Sequence, residues 1–462
     1  MKKVISIFLK PIDLLLAGIA ASTLVIYMSI RAIWGKRDWV PCRKLLVLDM
    51  AYTLEMIRNR QLHEAVTCRD LNGFFTHVWS VHPCATVIPP EEETEIYGPI
   101  QDTIFSEKHT IVEGKIGRYP TLNIFPLTNF FLAQWGVYFY LNHLLVKEKI
   151  AVVRAGDPYY GGLWALAIAR ANDIPCAVRV NVNYDTFYES TGNLAFPRLF
   201  RKRWVEKLID KFTLSRMDLV AGANQDNLNF AIKNGARIEV TTIFRYGNLI
   251  HKDHFIPINE RPSPIEILKD LGLINKPFSL TISRLEPLKH IDDVLKIIKD
   301  VNDKGYSLYG LIVGDGRLRN DLNYLAKDLK ISERIIFAGN RDQEWLAKII
   351  PCATIVISPF MGRALTEAAL GGIPIVAYDI DWQSELIQNG KTGELVPYRD
   401  LLAMEKSVIK YLEEKEYARR MGDNVRLTVN EMMNPQKLTL HEINEYNKLF
   451  KRYYNYNVKP IC

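Results

Sequence analysis

The sequence has no low-complexity tract and no repeat at a solenoid period, so neither a disordered tail nor a solenoid organises it. Its six cysteines (Cys42, Cys68, Cys84, Cys176, Cys352, Cys462) never stand as C-x-x-C. No Cys/His spacing suits zinc, and no metal site is expected. Scattered single thiols suit a reducing compartment, and a Cys68–Cys84 disulfide is possible but not expected. Charge excess is almost missing from most of the chain. Residues 1–44 hold Lys2, Lys3, Lys10, Arg31, Lys36, Arg37, Arg43 and Lys44 against Asp13 and Asp38, which is +6 of the total +7. The rest is close to balanced and lacks the basic face of a nucleic-acid binder. No nucleic-acid partner is expected.

What is present is a long chain of ordinary globular composition. Its 462 residues, 48% hydrophobic and 24% charged, are too many for one ordinary core, so two domains are expected. Ahead of them, Ile12 to Ile30 forms an apolar run of the length that spans a bilayer core as a helix. Asp13 lies at one end, in reach of headgroups, and Tyr27 and Trp34 sit where interfacial aromatics belong. A signal peptide fits the basic start, but no small-x-small site follows before Arg31. An uncleaved anchor over residues 1–40 is expected, single-pass or, if broken near Pro11, monotopic. Five basic residues follow the run and three precede it, which places the large C-terminal part on the cytoplasmic side.

Residues 41–255 read as a first α/β domain. Lys44–Asp49, Ile150–Asp157, Ile174–Val180 and Asp218–Gly222 have buried-strand patterns. Helices Gly161–Arg170 and Gln225–Lys233 alternate with them, as in a parallel doubly wound sheet. Ligands of such sheets bind beyond the C-terminal strand ends, where Asp157, Asn181, Asn183 and Asp185 fall. Short polar residues there also serve as caps, and both readings stand. The aromatic stretch Phe130–Tyr140 is read as a core helix in preference to a lipid-facing one. Phe196–Trp204 mixes basic and aromatic residues, as an interfacial helix or a solvated face does.

Residues 256–435 read as a second α/β domain after a boundary near Ile256–Lys276, where prolines cluster. Strand Phe278–Ile282 runs into Ser283-Arg284-Leu285 and Lys289. Strand Tyr309–Val313 ends in Gly314-Asp315-Gly316, and Ile335–Asn340 is another strand. Thr354–Ser358 leads to Phe360-Met361-Gly362-Arg363-Ala364-Leu365-Thr366-Glu367 and a helix closed by Gly371-Gly372. Two cations at one strand-to-helix turn, Arg284 and Lys289, suit a diphosphate. Gly314 and Gly316 allow close backbone approach. Glu367 can accept two vicinal ribose hydroxyls, and a nucleobase fits along Ala338-Gly339-Asn340. The ligand these groups suit together is a nucleoside diphosphate carrying a further group. An ordinary strand–helix–strand unit gives the same pattern with no ligand.

These motifs resemble those of glycosyltransferase family 4. Ser283-Arg284-Leu285 with Lys289, Val313-Gly314-Asp315-Gly316, Phe337-Ala338-Gly339 and Glu367-Ala368-Ala369-Leu370-Gly371-Gly372-Ile373-Pro374 each match a family segment, and the likeness covers roughly residues 275–400. The resemblance implies a GT-B fold: two doubly wound Rossmann-like domains facing a cleft, here with an N-terminal membrane helix. It implies retaining transfer from a nucleotide sugar, which is a substrate, with no cofactor and no bound metal. It assigns the diphosphate to Arg284 and Lys289, the ribose to Glu367, and the phosphates and sugar to the backbone of Gly362, Arg363, Ala364 and Leu365. It places the acceptor on the first domain, where Asp157 or Asp185 would orient the acceptor hydroxyl and Asn183 would support the sugar. It sends the last segment, 436–462, back to the first domain as a helix. Its aromatics, Tyr446 to Tyr456, would then pack in the core in preference to resting on lipid. At Pro359 the chain departs from the family, which has a sugar-contacting Glu eight residues before Glu367. The Gly-Gly loop expected after the first strand is also missing after Asp49.

The function expected is a membrane-attached hexosyltransferase-like enzyme acting on a lipid-linked or polysaccharide acceptor. The alternatives are a sugar-nucleotide epimerase or hydrolase of the same fold, and an inactive relative serving as a membrane partner.

Overall fold

The computed structural model describes residues 2–59, 62–87, 96–197 and 199–455. It forms two compact units. One comprises Met1–Asp185, Asn193–Arg245 and Lys437–Cys462; the other comprises Thr186–Gly192 and Tyr246–Gln436.

The first unit is built on one eight-stranded sheet. Its strands are β1 (Cys42–Leu48), β2 (His77–His82), β3 (Gln101–Ser106), β4 (His109–Glu113), β5 (Ile150–Ala155), β6 (Cys176–Val180), β7 (Leu219–Gly222) and β8 (Thr241–Ile243). Their order is β3-β4-β2-β1-β5-β6-β7-β8, parallel except for the β3–β4 pair. The central strands are near-continuous apolar runs because helices cover both faces; Leu45, Leu46, Val47 and Leu48 are all buried. β2, β3 and β4 are absent from the sequence reading of residues 41–149. Short strands carrying His77, His82 and His109 lack the apolar signature, though all of β2 beyond His77 is buried.

The second unit holds a six-stranded, wholly parallel sheet. Its strands are β9 (Phe278–Ile282), β10 (Tyr309–Val313), β11 (Ile335–Gly339), β12 (Ile355–Ser358), β13 (Ile375–Tyr378) and β14 (Glu394–Val396), in the order β11-β10-β9-β12-β13-β14. The strand order reverses between β9 and β12, the position where doubly wound sheets open a crevice at their C-terminal edge. Helix Ile291–Asp303 shows why the layers hold. Ile291, Val294, Leu295, Ile298 and Val301 recur at helical spacing and are all buried.

The N-terminal helix is continuous from Lys2 to Trp34 and passes through Pro11 unbroken. Its stretch Leu9–Trp34 is long and apolar enough to cross a membrane by length and composition. Asp13 does not reach outward as expected. It is buried, and its carboxylate accepts from the backbone N–H groups of Leu127 (3.0 Å) and Thr128 (2.9 Å) at the start of helix Pro126–Glu148. A helix start leaves such amides unsatisfied, and an anionic oxygen suits them. Helix Pro126–Glu148 is a core helix, with Val137, Tyr138, Leu141 and Leu145 buried. Phe196–Trp204 is not an interfacial helix: residues 199–202 are non-helical, helix Arg203–Leu214 starts afterwards, and Arg198 lies outside the described residues. The last helix, Pro435–Tyr454, belongs to the first unit, where Tyr446, Leu449, Phe450 and Tyr454 join the core against Leu45, Val47 and Ala151. Tyr456 lies outside the described residues. Cys68 and Cys84 are both free thiols.

Candidate functional site

In the second unit the strand-to-helix turns of a parallel sheet converge at one edge. After β9 the chain passes Arg284, makes a single 3-10 turn over Pro287–Lys289, and enters helix Ile291–Asp303. Arg284 is exposed and Lys289 half-buried. The Lys289 ammonium sits 4.0 Å from the centre of the Phe360 ring, on the turn after β12. A Cβ placed at Gly362 would stand 3.8 Å from the same ammonium. The turns of β9 and β12 therefore meet at Lys289. Burial, and then the neighbouring Arg284 charge, push the Lys289 pKa down to about 8, with Asp381 opposing. A cation so desolvated and so close to another cation gains from an arriving anion.

The β10 turn packs against the β9 turn with no room for side chains. A Cβ on Gly314, whose φ is +130°, would lie 2.0 Å from the Ser283 carbonyl oxygen, and one on Gly316 2.6 Å from that of Leu285. Leu285 N–H donates to Asp315 O, and Gly314 N–H donates to Gly339 O. The glycines thus lace the ends of β9, β10 and β11 together. Asn340, just past β11, is exposed at that edge. Of the Gly362–Leu365 segment, Gly362 takes a left-handed turn (φ +65°), Arg363 is exposed, and Ala364 is half-buried. Leu365 turns its side chain into the core and commits its N–H to Gly362 O.

Glu367 is 4% exposed on helix Ala364–Leu370. Burial raises its pKa; Arg363, 4.0 Å away, a hydrogen bond from Gln343, and His251 pull the other way. Gln343 is itself held by buried His254, whose Nε2 lies 2.8 Å from its Oε1. Burial keeps His254 neutral, its pKa pushed down to about 4. The Gln343 oxygen accepts from His254, which leaves its amide nitrogen to donate to Glu367. Sequence reasoning missed Gln343 and His254. They lie well before Glu367 in the chain, and nothing local marks them. Pro359 is buried directly after β12, so no carboxylate stands there.

In the first unit Asp157 lies just past β5 and is buried. Its carboxylate accepts from Tyr159 N–H at 2.8 Å and Gly161 N–H at 3.2 Å. Burial, with a contribution from Asp49, raises its pKa to about 7 despite those bonds. Asp49, just past β1, pairs with Arg69. His82, the last residue of β2, is buried beside them; its Nδ1 accepts from Cys84 N–H at 3.3 Å, and burial lowers its pKa to about 4. β1, β2 and β5 are adjacent, so Asp49, His82 and Asp157 share one sheet edge. His82 and Asp49 were not singled out by sequence. Asn183 and Asp185 do not join this group as free groups. Asn183 donates to the Asp226 carboxylate (3.0 and 3.1 Å) and accepts from Asp185 N–H. The Asp185 carboxylate is committed to Arg203, Lys207 (2.7 Å) and Asn234 (3.1 Å), which hold its pKa down against the cost of burial. Asp185 is thus the centre of a structural ion network. The cap reading fits Asn183, whose side-chain oxygen accepts from Asp185 N–H in the first turn of helix Tyr184–Thr191.

With this geometry in view, the likeness to known proteins has a physical meaning. Residues 266–428, all within the second unit, match the family described as "Glycosyl transferases group 1". An alpha-D-kanosaminyltransferase of Streptomyces kanamyceticus is 24% identical over 203 residues, 43% of this chain and 52% of the relative. A UDP-Gal:alpha-D-GlcNAc-diphosphoundecaprenol alpha-1,3-galactosyltransferase of Escherichia coli is 26% identical over 284 residues, 60% of this chain and 70% of the relative. The chain spans about half the length of the first two curated relatives it matches. Among solved structures, Anabaena HepE in complex with UDP superposes with a TM-score of 0.65 at 13% identity, over 88% of this chain and 99% of that one. The sucrose-phosphate synthase of Thermosynechococcus elongatus gives 0.65 at 16% over 88% and 99%. At such identities the likeness is one of fold, and that fold is GT-B.

Proposed function

We propose that this chain, whose residues 266–428 match the group 1 glycosyl transferases, is a membrane-attached glycosyltransferase. It moves a sugar with retention from a nucleoside-diphosphate sugar to a lipid-linked or polysaccharide acceptor. The observation that carries the reading is the cluster of Arg284, Lys289 and the Gly362 turn at one sheet edge, with Glu367 on the helix that follows. Two cations, one of them desolvated, suit a diphosphate that gains charge as the sugar leaves. Fixed charge aimed at a leaving group is usually the largest single term in such a barrier. Glu367, held by Gln343, is set to accept the two ribose hydroxyls. Asn340 and Gly339 border the place for a base. On the first unit, Asp157 with a pKa near 7 is the group suited to orient the acceptor hydroxyl and take its proton at physiological pH.

The diphosphoundecaprenol in the Escherichia coli relative's name and the apolar N-terminal helix both favour a lipid-linked acceptor. Retention rests on the family resemblance alone, and the anomeric configuration of the product by NMR checks it. The main test incubates the purified chain with a panel of labelled nucleotide sugars and a membrane lipid extract. Label in lipid, lost in Arg284→Ala, is the expected result. Release of free sugar without transfer indicates a hydrolase. Pro359 in place of a sugar-contacting Glu favours one further reading, an inactive partner. Nucleotide binding with no turnover of any donor in the panel is the result that selects it.

A further inference from the structure

The N-terminal helix cannot cross a bilayer while keeping the contacts it makes. It runs side by side with helix Pro126–Glu148. Asp13 caps that helix, Trp135 Nε1 donates to Ala20 O at 3.1 Å, and the Tyr27 ring meets Trp135, Tyr138 and Phe139 at 5.7 to 5.9 Å. From Asp13 to Tyr27 this pairing extends for about 20 Å at 1.5 Å per residue. Beyond it, Arg37 donates to Asp173 O at 3.1 Å. Both ends of the apolar run are therefore fixed to the first unit. A perpendicular crossing would draw helix Pro126–Glu148, with its buried Asn129 and Gln134, and the sheet beneath into hydrocarbon. Among the described side chains of the N-terminal helix, from Leu9 onward, the buried ones, Asp13, Ala17 and Leu24, lie on one stripe. The opposite side is apolar and exposed, as in a helix lying in an interface.

A second element presents the matching chemistry. Helix Arg203–Leu214 packs on helix Tyr160–Ala171, as the N-terminal helix also does. Its two interior carboxylates, Glu206 and Asp210, turn inward and are fully buried. Its outward stripe is Trp204, Leu208 and Phe212, 64%, 61% and 46% exposed at four-residue spacing. Lys202, Lys211 and Arg216 flank that stripe and are exposed. An apolar strip rimmed by cations alone, with the acids turned away, is complementary to an anionic bilayer surface.

We propose that the chain is monotopic: the N-terminal helix lies in the plane of one leaflet, and helix Arg203–Leu214 is a second contact that selects anionic lipid. This rests on the membrane-attached reading above and fixes its topology and its lipid partner. The full-length protein is tested by flotation with vesicles of phosphatidylcholine, with and without phosphatidylglycerol. The wild type floats with both and binds the anionic vesicles more tightly at low salt. The pair Lys202→Gln and Lys211→Gln lowers binding to anionic vesicles about 25-fold, at about fivefold per basic residue, and leaves neutral vesicles unaffected. Trp204→Ser with Phe212→Ser weakens both. An unchanged anionic preference in the lysine variants overturns the second contact. In sealed vesicles, protease digestion of epitopes at the two termini finds both on one side; opposite sides overturn the monotopic topology. Calorimetry of UDP and GDP with the same variants in detergent reads the donor site separately. Intact lipid binding without nucleotide binding would leave this proposal standing while the transferase reading fell.

Discussion

Lys289 offers the sharpest test of the proposed donor site because its charge is poised. With a pKa of about 8, the free protein carries this ammonium about half protonated at pH 8. A bound diphosphate raises that pKa, so binding takes up a proton, and affinity falls as pH rises through about 8. The diphosphate of a nucleotide sugar holds its own charge constant over this range, so the dependence belongs to the protein. If only the protonated form binds, affinity at pH 9 is roughly tenfold below that at pH 7, and uptake at pH 8 is about half a proton. The assay is titration calorimetry of the donor in buffers of differing ionisation enthalpy at pH 7, 8 and 9. Lys289→Arg keeps the charge and removes the proton uptake; Lys289→Met weakens binding and flattens the pH dependence. No uptake at pH 8 in the wild type, or equal affinities at pH 7 and 9, refutes a diphosphate meeting a half-protonated Lys289.

Other substitutions probe the same edges. Arg284→Ala and Lys289→Ala each cost about 2–4 kcal/mol of barrier, on the order of 30- to 1000-fold in kcat, with an unchanged melting temperature. Glu367→Gln weakens nucleoside diphosphate binding at least about tenfold, through two hydrogen bonds to a charged acceptor. The same variant melts no lower at pH 8, because a carboxyl whose pKa burial raises loses stability as pH climbs through that pKa and Gln does not. Gly314→Ala destabilises the second unit by on the order of 3 kcal/mol or more, since its Cβ meets the Ser283 carbonyl and its φ is left-handed, seen as an early melting transition. Asp157 rises from 3.8 to about 7 on folding, so wild-type stability declines between about pH 4 and 7; Asp157→Asn removes that slope in urea titrations and lowers kcat.

The second unit was legible because its chemistry is local. Arg284 and Gly314 sit within two residues of a strand end that the apolar runs mark, Glu367 lies on the short helix after another, and a parallel sheet brings all strand ends of one kind to one edge. The supports of Glu367 were not legible: Gln343 and His254 come from other elements, and only tertiary packing joins them. The first unit shows the same limit more strongly. Asp185 looked like an acceptor group at a strand end, yet Arg203, Lys207 and Asn234 arrive from two later helices to absorb its charge. His82 and Asp49 became visible only when β2 took its place beside β1. Asp13 looked like a headgroup ligand because its partners, the Leu127 and Thr128 amides, lie more than a hundred residues away in the chain.

The return of the last helix to the first unit has a consequence for biosynthesis. Arg154, buried on β5, finds its countercharge in Glu442 at 3.0 Å and a further acceptor in the Tyr446 hydroxyl at 3.3 Å. Both lie nearly three hundred residues downstream. While the ribosome is still translating the second unit, the first holds an uncompensated guanidinium in its interior, a state that costs about 3–5 kcal/mol in a finished protein. The domain that begins first is completed last. The second unit has all its strands before the helix that closes the first is made. A nascent chain stalled before Pro435 should thus yield a protease-resistant second unit and a protease-sensitive first one.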